Sequence, residues 1–215
     1  MLLIALDEPG YTCICSRQRL PLGQKVHVPS PAELQQSVKE LVLDHQELHA
    51  ADGEELARCL VEASPLKQLR RLYLQHNHLR DAGCAALATA LTRSRCPELR
   101  RLHLGHNRIS NAGAQALAVC LHPSPLLEQL HLDHNWIGHQ GALALATALE
   151  AGTLVVAELQ LHANPGLTPA ACARLAACRD CRVVTDDNDP TLVSQRRELF
   201  DQAEAVPIHT GFPGK

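Results

Sequence analysis

The sequence predicts an α/β solenoid, in which similar turns are stacked and each turn adds one strand to a parallel sheet and one helix to a second layer. One observation is a phrase of an aliphatic residue, two variable residues, Leu-x-Leu, two variable residues and Asn, which ends at Asn77, Asn107, Asn135 and Asn164. These asparagines are 30, 28 and 29 residues apart. The second observation is a helical Leu-Ala motif after each phrase. Such an interval is typical of stacked repeat proteins.

Five copies of the phrase predict five short strands. The two leucines of Leu-x-Leu point inward from one face, because successive side chains of a strand alternate. The strands are predicted to be parallel, since a helix separates each strand from the next. The copies are Val38–Leu48 with Gln46 in place of Asn, Leu69–Leu79, Leu99–Ile109, Leu127–Ile137 and Val156–Leu167.

A helix is predicted after each strand. Its leucines are four residues apart and therefore lie one turn apart on the face that packs against the strand leucines. Gly83, Gly113 and Gly141 mark the turn from strand to helix, where a backbone without Cβ is favoured. The helical motifs are Leu56–Leu60, Leu87–Leu91, Leu117–Leu121, Leu145–Leu149 and Leu175–Cys178.

The repeated asparagines are predicted to be structural. The turn after each strand leaves buried backbone groups outside the sheet, and each unpaired group costs about 1–3 kcal/mol. An Asn amide both donates and accepts, so stacked asparagines can satisfy successive turns. Gln46 interrupts the column in the first repeat, where an atypical capping turn is expected.

The phrase and its helix, from Val38 to Cys178, resemble the leucine-rich repeat, specifically its long ribonuclease-inhibitor-like subtype. The resemblance implies a right-handed solenoid, a horseshoe segment with the parallel sheet on its concave face and α-helices on its convex face. It also implies protein binding, because family members are mostly protein-binding modules, including inhibitors, immune sensors and activators of small GTPases. It assigns no contact residue, since these lie at variable positions.

The chain is expected to have four parts: an N-terminal cap at 1–37, five leucine-rich repeats at 38–180, a C-terminal cap strand and helix at 181–205, and a disordered tail at 206–215. Ser30-Pro31 has the form of a helix start. Small strands are predicted at Tyr11–Cys15, Lys25–Val28 and Cys181–Val184, and a helix at 189–203.

The composition indicates a soluble, cytoplasmic and non-catalytic protein. The formal net charge of −3 gives no field that favours nucleic acid or an anionic membrane. The opening Met1–Asp7 makes a poor signal peptide, and no apolar stretch approaches the roughly 20 residues that span a bilayer. No phosphate loop, nucleophile elbow or converging carboxylate pair is present. We therefore expect no catalytic residue, no cofactor, no nucleic-acid or membrane partner, and a monomer.

The nine cysteines are expected to be structural. Cys59, Cys120 and Cys178 share the helix position that alanine takes in other copies, which is typical of small buried residues. Cys96 and Cys181 lie in turns and are expected to be the more exposed thiols. A zinc site would need a second pair beside Cys178-x-x-Cys181.

The histidines form columns along the predicted sheet. One column holds the residues just before the Gln or Asn of four successive repeats, His45, His76, His106 and His134. A second holds His103 and His131 between the paired leucines, joined by His162 farther along its strand. A straight row does not make the tetrahedral cage that zinc prefers, so no metal ligand is predicted. Simple surface use, pH-sensitive partner binding and metal binding are the alternatives.

The outward positions of the strands are the candidate partner-binding surface. Two arginine pairs begin adjacent strands and would form a basic patch suited to an acidic segment of a protein partner. Arginine and aromatic side chains also dominate binding energy in interfaces. The candidate partner-binding residues are Arg70, Arg71, Tyr73, Arg100, Arg101, His103, His106, His131, Asp133, His134 and Trp136.

The predicted function is a non-catalytic protein–protein interaction module or scaffold. The alternatives are a regulator of an enzyme, such as a small-GTPase activator, and a metal- or redox-responsive protein.

Overall fold

The computed structural model describes residues 3–5, 12–15, 28–34, 38–63, 66–92, 94–121, 127–178 and 180–185. Its strands are β1 Leu3–Ala5, β2 Thr12–Cys15, β3 Val38–Val42, β4 Arg71–Tyr73, β5 Arg101–His103, β6 Gln129–His131, β7 Glu158–Gln160 and β8 Arg182–Val184. Its helices are α1 Pro31–Leu34, α2 Ala50–Glu62, α3 Arg80–Ala90, α4 Asn111–Cys120, α5 His139–Glu150 and α6 Pro169–Ala176.

The strands form one open sheet in sequence order, and an α-helix joins each neighbouring pair from β3 to β8. All pairs from β2 to β8 are parallel, whereas β1 is antiparallel to β2. Strands are about 4.8 Å apart but packed helices are about 8–10 Å apart, so the stack curves with the sheet on its inner side. The predicted α/β solenoid is confirmed.

The core lies between the two layers and is aliphatic. Leu72, Leu102 and Leu130 are register partners in adjacent strands, and each is 0% exposed. Helix leucines such as Leu87 and Leu117 are equally buried against them. The register confirms the inward direction of the Leu-x-Leu pairs, because equivalent leucines stack from turn to turn.

The asparagine column forms a ladder of hydrogen bonds between repeats. Asn135 Oδ1 accepts from the backbone N–H groups of Asn107 at 3.0 Å and Ile109 at 2.9 Å. Its Nδ2 donates to the carbonyl oxygens of Leu104, Leu132 and Asp133 at 2.9, 3.1 and 3.2 Å. The side chain therefore pairs backbone groups of its own turn and the preceding one, as predicted for this position.

A second set of polar contacts joins the starts of the helices. Asp81 Oδ1 accepts from the N–H groups of Ser110 at 2.7 Å and Gly113 at 2.9 Å, so a side chain of α3 caps α4. Asn111 repeats the arrangement one turn on, accepting from Gly138 and Gly141. These bonds fix the spacing between neighbouring helices.

The glycines at the helix starts, Gly83, Gly113 and Gly141, were expected to serve the conformation of a turn, but none of them has a positive φ. A Cβ at Gly113 would lie 2.6 Å from Ile109 Cγ2 and 2.7 Å from Asp81 Oδ1, so close packing requires glycine there. Left-handed backbone occurs instead at the residues just before Gln or Asn, with φ of 57°, 55°, 56°, 51° and 56° at His45, His76, His106, His134 and Ala163. Histidine is among the residue types enriched in that conformation.

The chain ends match the predictions only in part. Helix α1 begins at the predicted Pro31, β2 lies within Tyr11–Cys15, and β8 lies within Cys181–Val184. β1 was not predicted, and Val28 is not in a strand. The predicted helix at 189–203 and tail at 206–215 lie outside the described residues. None of the described helices combines the length and apolar character that crossing a membrane requires.

The cysteine predictions hold only in part, and the one for Cys96 is wrong. Cys96 lies in a turn but is only 1% exposed, and burial raises its pKa to about 12. Cys59 is buried as predicted, whereas Cys120 and Cys178, which were expected to be buried, and Cys181, which was expected to be exposed, are half-buried. Position in a turn did not decide exposure, because Cys96 joins the hydrophobic core between successive repeats.

Candidate functional site

The outward side chains of β3 to β8 form two rows across the concave side, which we call the sheet face. The parallel register sets both rows. Residues six positions before the repeated Gln or Asn pair with one another and form the first row. Residues four positions before it pair in the same way and form the second row. The first row is Glu40, Arg71, Arg101, Gln129, Glu158 and Arg182. The second row is Val42, Tyr73, His103, His131, Gln160 and Val184.

Positive charge on the sheet face is centred on Arg101. Arg71 pairs with Glu40 at 3.2 Å between Nη1 and Oε2, whereas Arg101 forms no ion pair with another described residue. On its other side, Gln129 Nε2 donates to Glu158 Oε2 at 3.0 Å. Hydrogen bonds from Gln160 and Gln129 lower the pKa of Glu158. The row therefore grades from basic at β4 and β5 to acidic at β7.

The four arginines do not form the single basic patch expected from the sequence. Arg70 and Arg100 lie just before β4 and β5 rather than on the sheet face. Arg70 Nη2 is 3.8 Å from Glu98 Oε2, and Arg100 Nη1 is 2.9 Å from Glu128 Oε1. These exposed pairs contribute little stability, but they neutralise two of the four charges.

Three adjacent members of the second row, Tyr73, His103 and His131, form a continuous ring surface. Tyr73 meets His103 edge to face at 4.7 Å between ring centroids, and His103 stacks on His131 at 3.8 Å. Burial, followed by the nearby charges of His131 and Arg101, lowers the pKa of His103 to about 4. Burial also lowers the pKa of His131. Both imidazoles are therefore neutral at neutral pH, and the row presents flat polar rings rather than cations.

The predicted row of His45, His76, His106 and His134 is a stack of imidazoles along the end of the sheet face. Successive ring centroids are 4.0, 3.9 and 4.0 Å apart, with planes tilted by 12–17°. Burial and then neighbouring imidazoles lower the pKa values of His76 and His106. We call these four residues the imidazole stack.

His162 differs from the sequence expectation. The register partner of His131 is Gln160, so His162 is not a third ring in the stack of His103 and His131. It instead meets His134 edge to face at 5.4 Å, and its Nε2 lies 4.0 Å from Asp133 Oδ2.

An open groove runs beside the imidazole stack. Its volume is about 430 Å³, and its lining includes the stack together with Glu47, His78 and Arg108. Trp136 takes the position equivalent to His78 and Arg108 in the next repeat and is 44% exposed. Trp136 thus lies past the imidazole stack rather than on the sheet face.

Asp133 links the sheet face to the imidazole stack. It is 8% exposed, and its Oδ2 is 3.3 Å from His134 Nδ1. Its charge also acts on His103 and His131, raising their pKa values against the effect of burial. Of the predicted residues, the structure brings together Arg71, Arg101, Tyr73, His103, His131, Asp133, His106 and His134, while Arg70, Arg100 and Trp136 lie at the margins.

A leucine-rich-repeat family profile matches residues 67–88, 95–118 and 124–146. These three segments are therefore similar to leucine-rich repeats. All the candidate partner-binding residues fall within them. Repeats of this kind stack into extended concave surfaces that commonly bind proteins. A search of curated proteins found no match to the chain.

The candidate partner-binding residues did not include Glu40, Gln129 and Glu158 of the first row, although the sequence indicates Glu40 and Glu158 as acidic edges of the arginine patch. Each lies six positions before the Gln or Asn of its repeat, as Arg71 and Arg101 do. Counting back from that residue in every copy would have placed them on the same row.

Proposed function

We propose that this chain is a non-catalytic protein–protein interaction module that binds a partner through the sheet face. The observation that carries the proposal is the ring surface of Tyr73, His103 and His131 beside Arg101. Flat rings of this type supply contact area at low entropic cost, and the nearby guanidinium supplies directed hydrogen bonds. The membership of these residues in leucine-rich repeats supports a protein ligand.

The chemistry of the first row favours a partner with an acidic segment. A carboxylate that approaches Arg101 meets a guanidinium with no ion-pair partner among the described residues, and can form a bidentate contact. Arg71 adds a second charge, shared with Glu40. Glu158 lies two strands beyond Arg101 in the row and repels the same segment, which favours placing the acidic side chains of that segment over β4 and β5.

We also propose the ribonuclease-inhibitor-like subtype, because the turns carry full helices of 13, 11, 10, 12 and 8 residues. A monomeric state, a cytoplasmic location and the division at residues 37, 180 and 205 are further proposals. They rest on the sequence pattern alone.

The test compares two charge reversals of equal size. Arg71→Glu with Arg101→Glu alters the sheet face, and Arg58→Glu with Arg174→Glu alters exposed arginines on helices α2 and α6. Each form is immobilised and used to capture proteins from a cell lysate, with circular dichroism as the check on folding. We expect at least one protein that is captured by the wild type and the helix variant but lost with the sheet-face variant.

Two results would count against this function. Equal loss with both variants would mean that capture depends on net charge and not on the sheet face. Equal retention with both would remove Arg71 and Arg101 from the binding site.

A further inference from the structure

Asp133 is a buried carboxylate surrounded by imidazoles. Its Oδ2 lies 3.3 Å from His134 Nδ1 and 4.0 Å from His162 Nε2. Its Oδ1 is buried and has no hydrogen-bond partner among the described residues. Burying a carboxylate is unfavourable unless a cation or donors compensate it. The surroundings therefore suit a positively charged ligand that accepts nitrogen and oxygen donors.

Gly105 explains where this carboxylate lies. A Cβ at Gly105 would be 2.8 Å from Asp133 Oδ2 and 2.9 Å from Oδ1, so the carboxylate occupies space that only glycine leaves open. Asp44 takes the same position in the first repeat and is followed in the chain by an imidazole of the stack, His45, just as Asp133 is followed by His134. Asp44 Oδ1, however, accepts a hydrogen bond from the backbone N–H of Gln75 at 2.7 Å. The carboxylate of Asp44 is thus held by a backbone N–H, whereas Oδ1 of Asp133 has no hydrogen-bond partner among the described residues.

We propose that His106, Asp133 and His134 bind one divalent transition-metal ion, with Zn²⁺ as the reference ion. One donor atom from each of these side chains lies within 4.8 Å of the other two. A tetrahedral ion about 2.0–2.1 Å from its ligands sets neighbouring donors about 3.3–3.4 Å apart. The 3.3 Å between His134 Nδ1 and Asp133 Oδ2 already meets this spacing.

The donor set selects the class of metal. Two imidazole nitrogens and one carboxylate oxygen suit zinc, cobalt, nickel or copper, whereas magnesium and calcium prefer oxygen ligands alone. The side chain of His134 is 44% exposed, so the ion can enter from solvent and keep water in its remaining position.

Binding requires one ring to turn. His106 and His134 are stacked with centroids 4.0 Å apart and planes 17° from parallel. Because ring nitrogens bind metal in the plane of the ring, an ion in the plane of one ring lies outside the plane of the other. His134 is the more exposed ring and can change its tilt against His106 while its Nδ1 stays beside Asp133 Oδ2, and the stack of His45, His76 and His106 stays in place.

The experiment uses the whole 215-residue chain, made without a histidine tag or metal resin and stripped with a chelator. Zinc affinity is measured by competition with a chromophoric chelator, and Co²⁺ absorption in the visible range reports the coordination geometry. Asp133→Asn keeps the side-chain shape but removes the anionic donor, and Asp44→Asn is the matched control. We expect about one zinc ion per chain and an affinity that falls about tenfold or more only in Asp133→Asn.

His134→Gln gives a second, exposed position should Asp133→Asn fail to fold, and His45→Gln is its control within the same stack. We expect a loss of zinc affinity of about tenfold or more for His134→Gln and little change for His45→Gln. Several weakly bound ions, equal losses in the matched pairs, or no binding by the wild type would each overturn the proposal. Because the readout is metal binding, these results are independent of any protein partner.

Discussion

Replacing Asn135 by alanine tests whether the asparagine ladder holds the solenoid together. The substitution removes the acceptor of two buried N–H groups, those of Asn107 and Ile109, at 3.0 and 2.9 Å. Each unpaired group costs about 1–3 kcal/mol, so the free energy of unfolding should fall by about 2–6 kcal/mol. The carbonyl of Leu104 adds little to this loss, because it still accepts from Asn107 Nδ2 at 3.1 Å.

The assay is urea denaturation followed by two probes. Far-ultraviolet circular dichroism reports all repeats, and fluorescence of Trp136, the single tryptophan, reports the turn beside the substitution. Gln140→Ala, at an exposed position of α5, is the control and should change the unfolding free energy by no more than about 0.5 kcal/mol. A loss below about 1 kcal/mol in Asn135→Ala would refute the reasoning, because the ladder bonds would then be dispensable.

Three further predictions concern the site and the cysteines. Gly105→Ala should cost about 1–3 kcal/mol in urea denaturation, towards the low end because the flexible Asp133 carboxylate can move aside, and it should weaken zinc binding. Unchanged zinc affinity would contradict the placement of that carboxylate. Burial lowers the pKa of His103 in the folded chain from 6.5 to about 4. Between these two pH values the unfolded chain binds more protons at this residue than the folded chain does. The contribution of His103 to the free energy of unfolding should therefore fall as the pH drops through this range and stay level above it. Urea denaturation in the presence of chelator should show this slope reduced in His103→Gln, and an unchanged slope would assign it to other groups. Iodoacetamide should alkylate native Cys178 faster than Cys96, because burial raises the pKa of Cys96 to about 12. Mass spectrometry measures the two alkylation rates, and comparable rates would mean that Cys96 is accessible.

Much of the fold could be predicted because the same spacing of leucines and asparagines recurs in successive copies, so each copy confirms the alignment of the others. The Leu-x-Leu spacing placed Leu72, Leu102 and Leu130 in equivalent core positions, and parallel pairing then put Tyr73 beside His103. The imidazole stack followed from the same count. These features depend on backbone periodicity, which the sequence carries directly.

The content of the site depended on contacts between repeats that periodicity does not describe. The arginine pairs looked equivalent, but Arg71 faces Glu40 on the sheet face while Arg100 turns to Glu128 at its margin. Cys96 was expected to be exposed because it lies in a turn, yet neighbouring turns bury it.

The sequence by itself determined the strand order, the inward leucines, the asparagine ladder and the outward rows, because each follows from the spacing of residues along the chain. Only the tertiary structure decided which charges are paired and where the carboxylate of Asp133 lies. The physical reason is that side-chain placement depends on the size and hydrogen bonds of residues in the neighbouring turn. The missing Cβ of Gly105 brings Asp133 towards the imidazoles, whereas a backbone N–H holds Asp44 at the equivalent position.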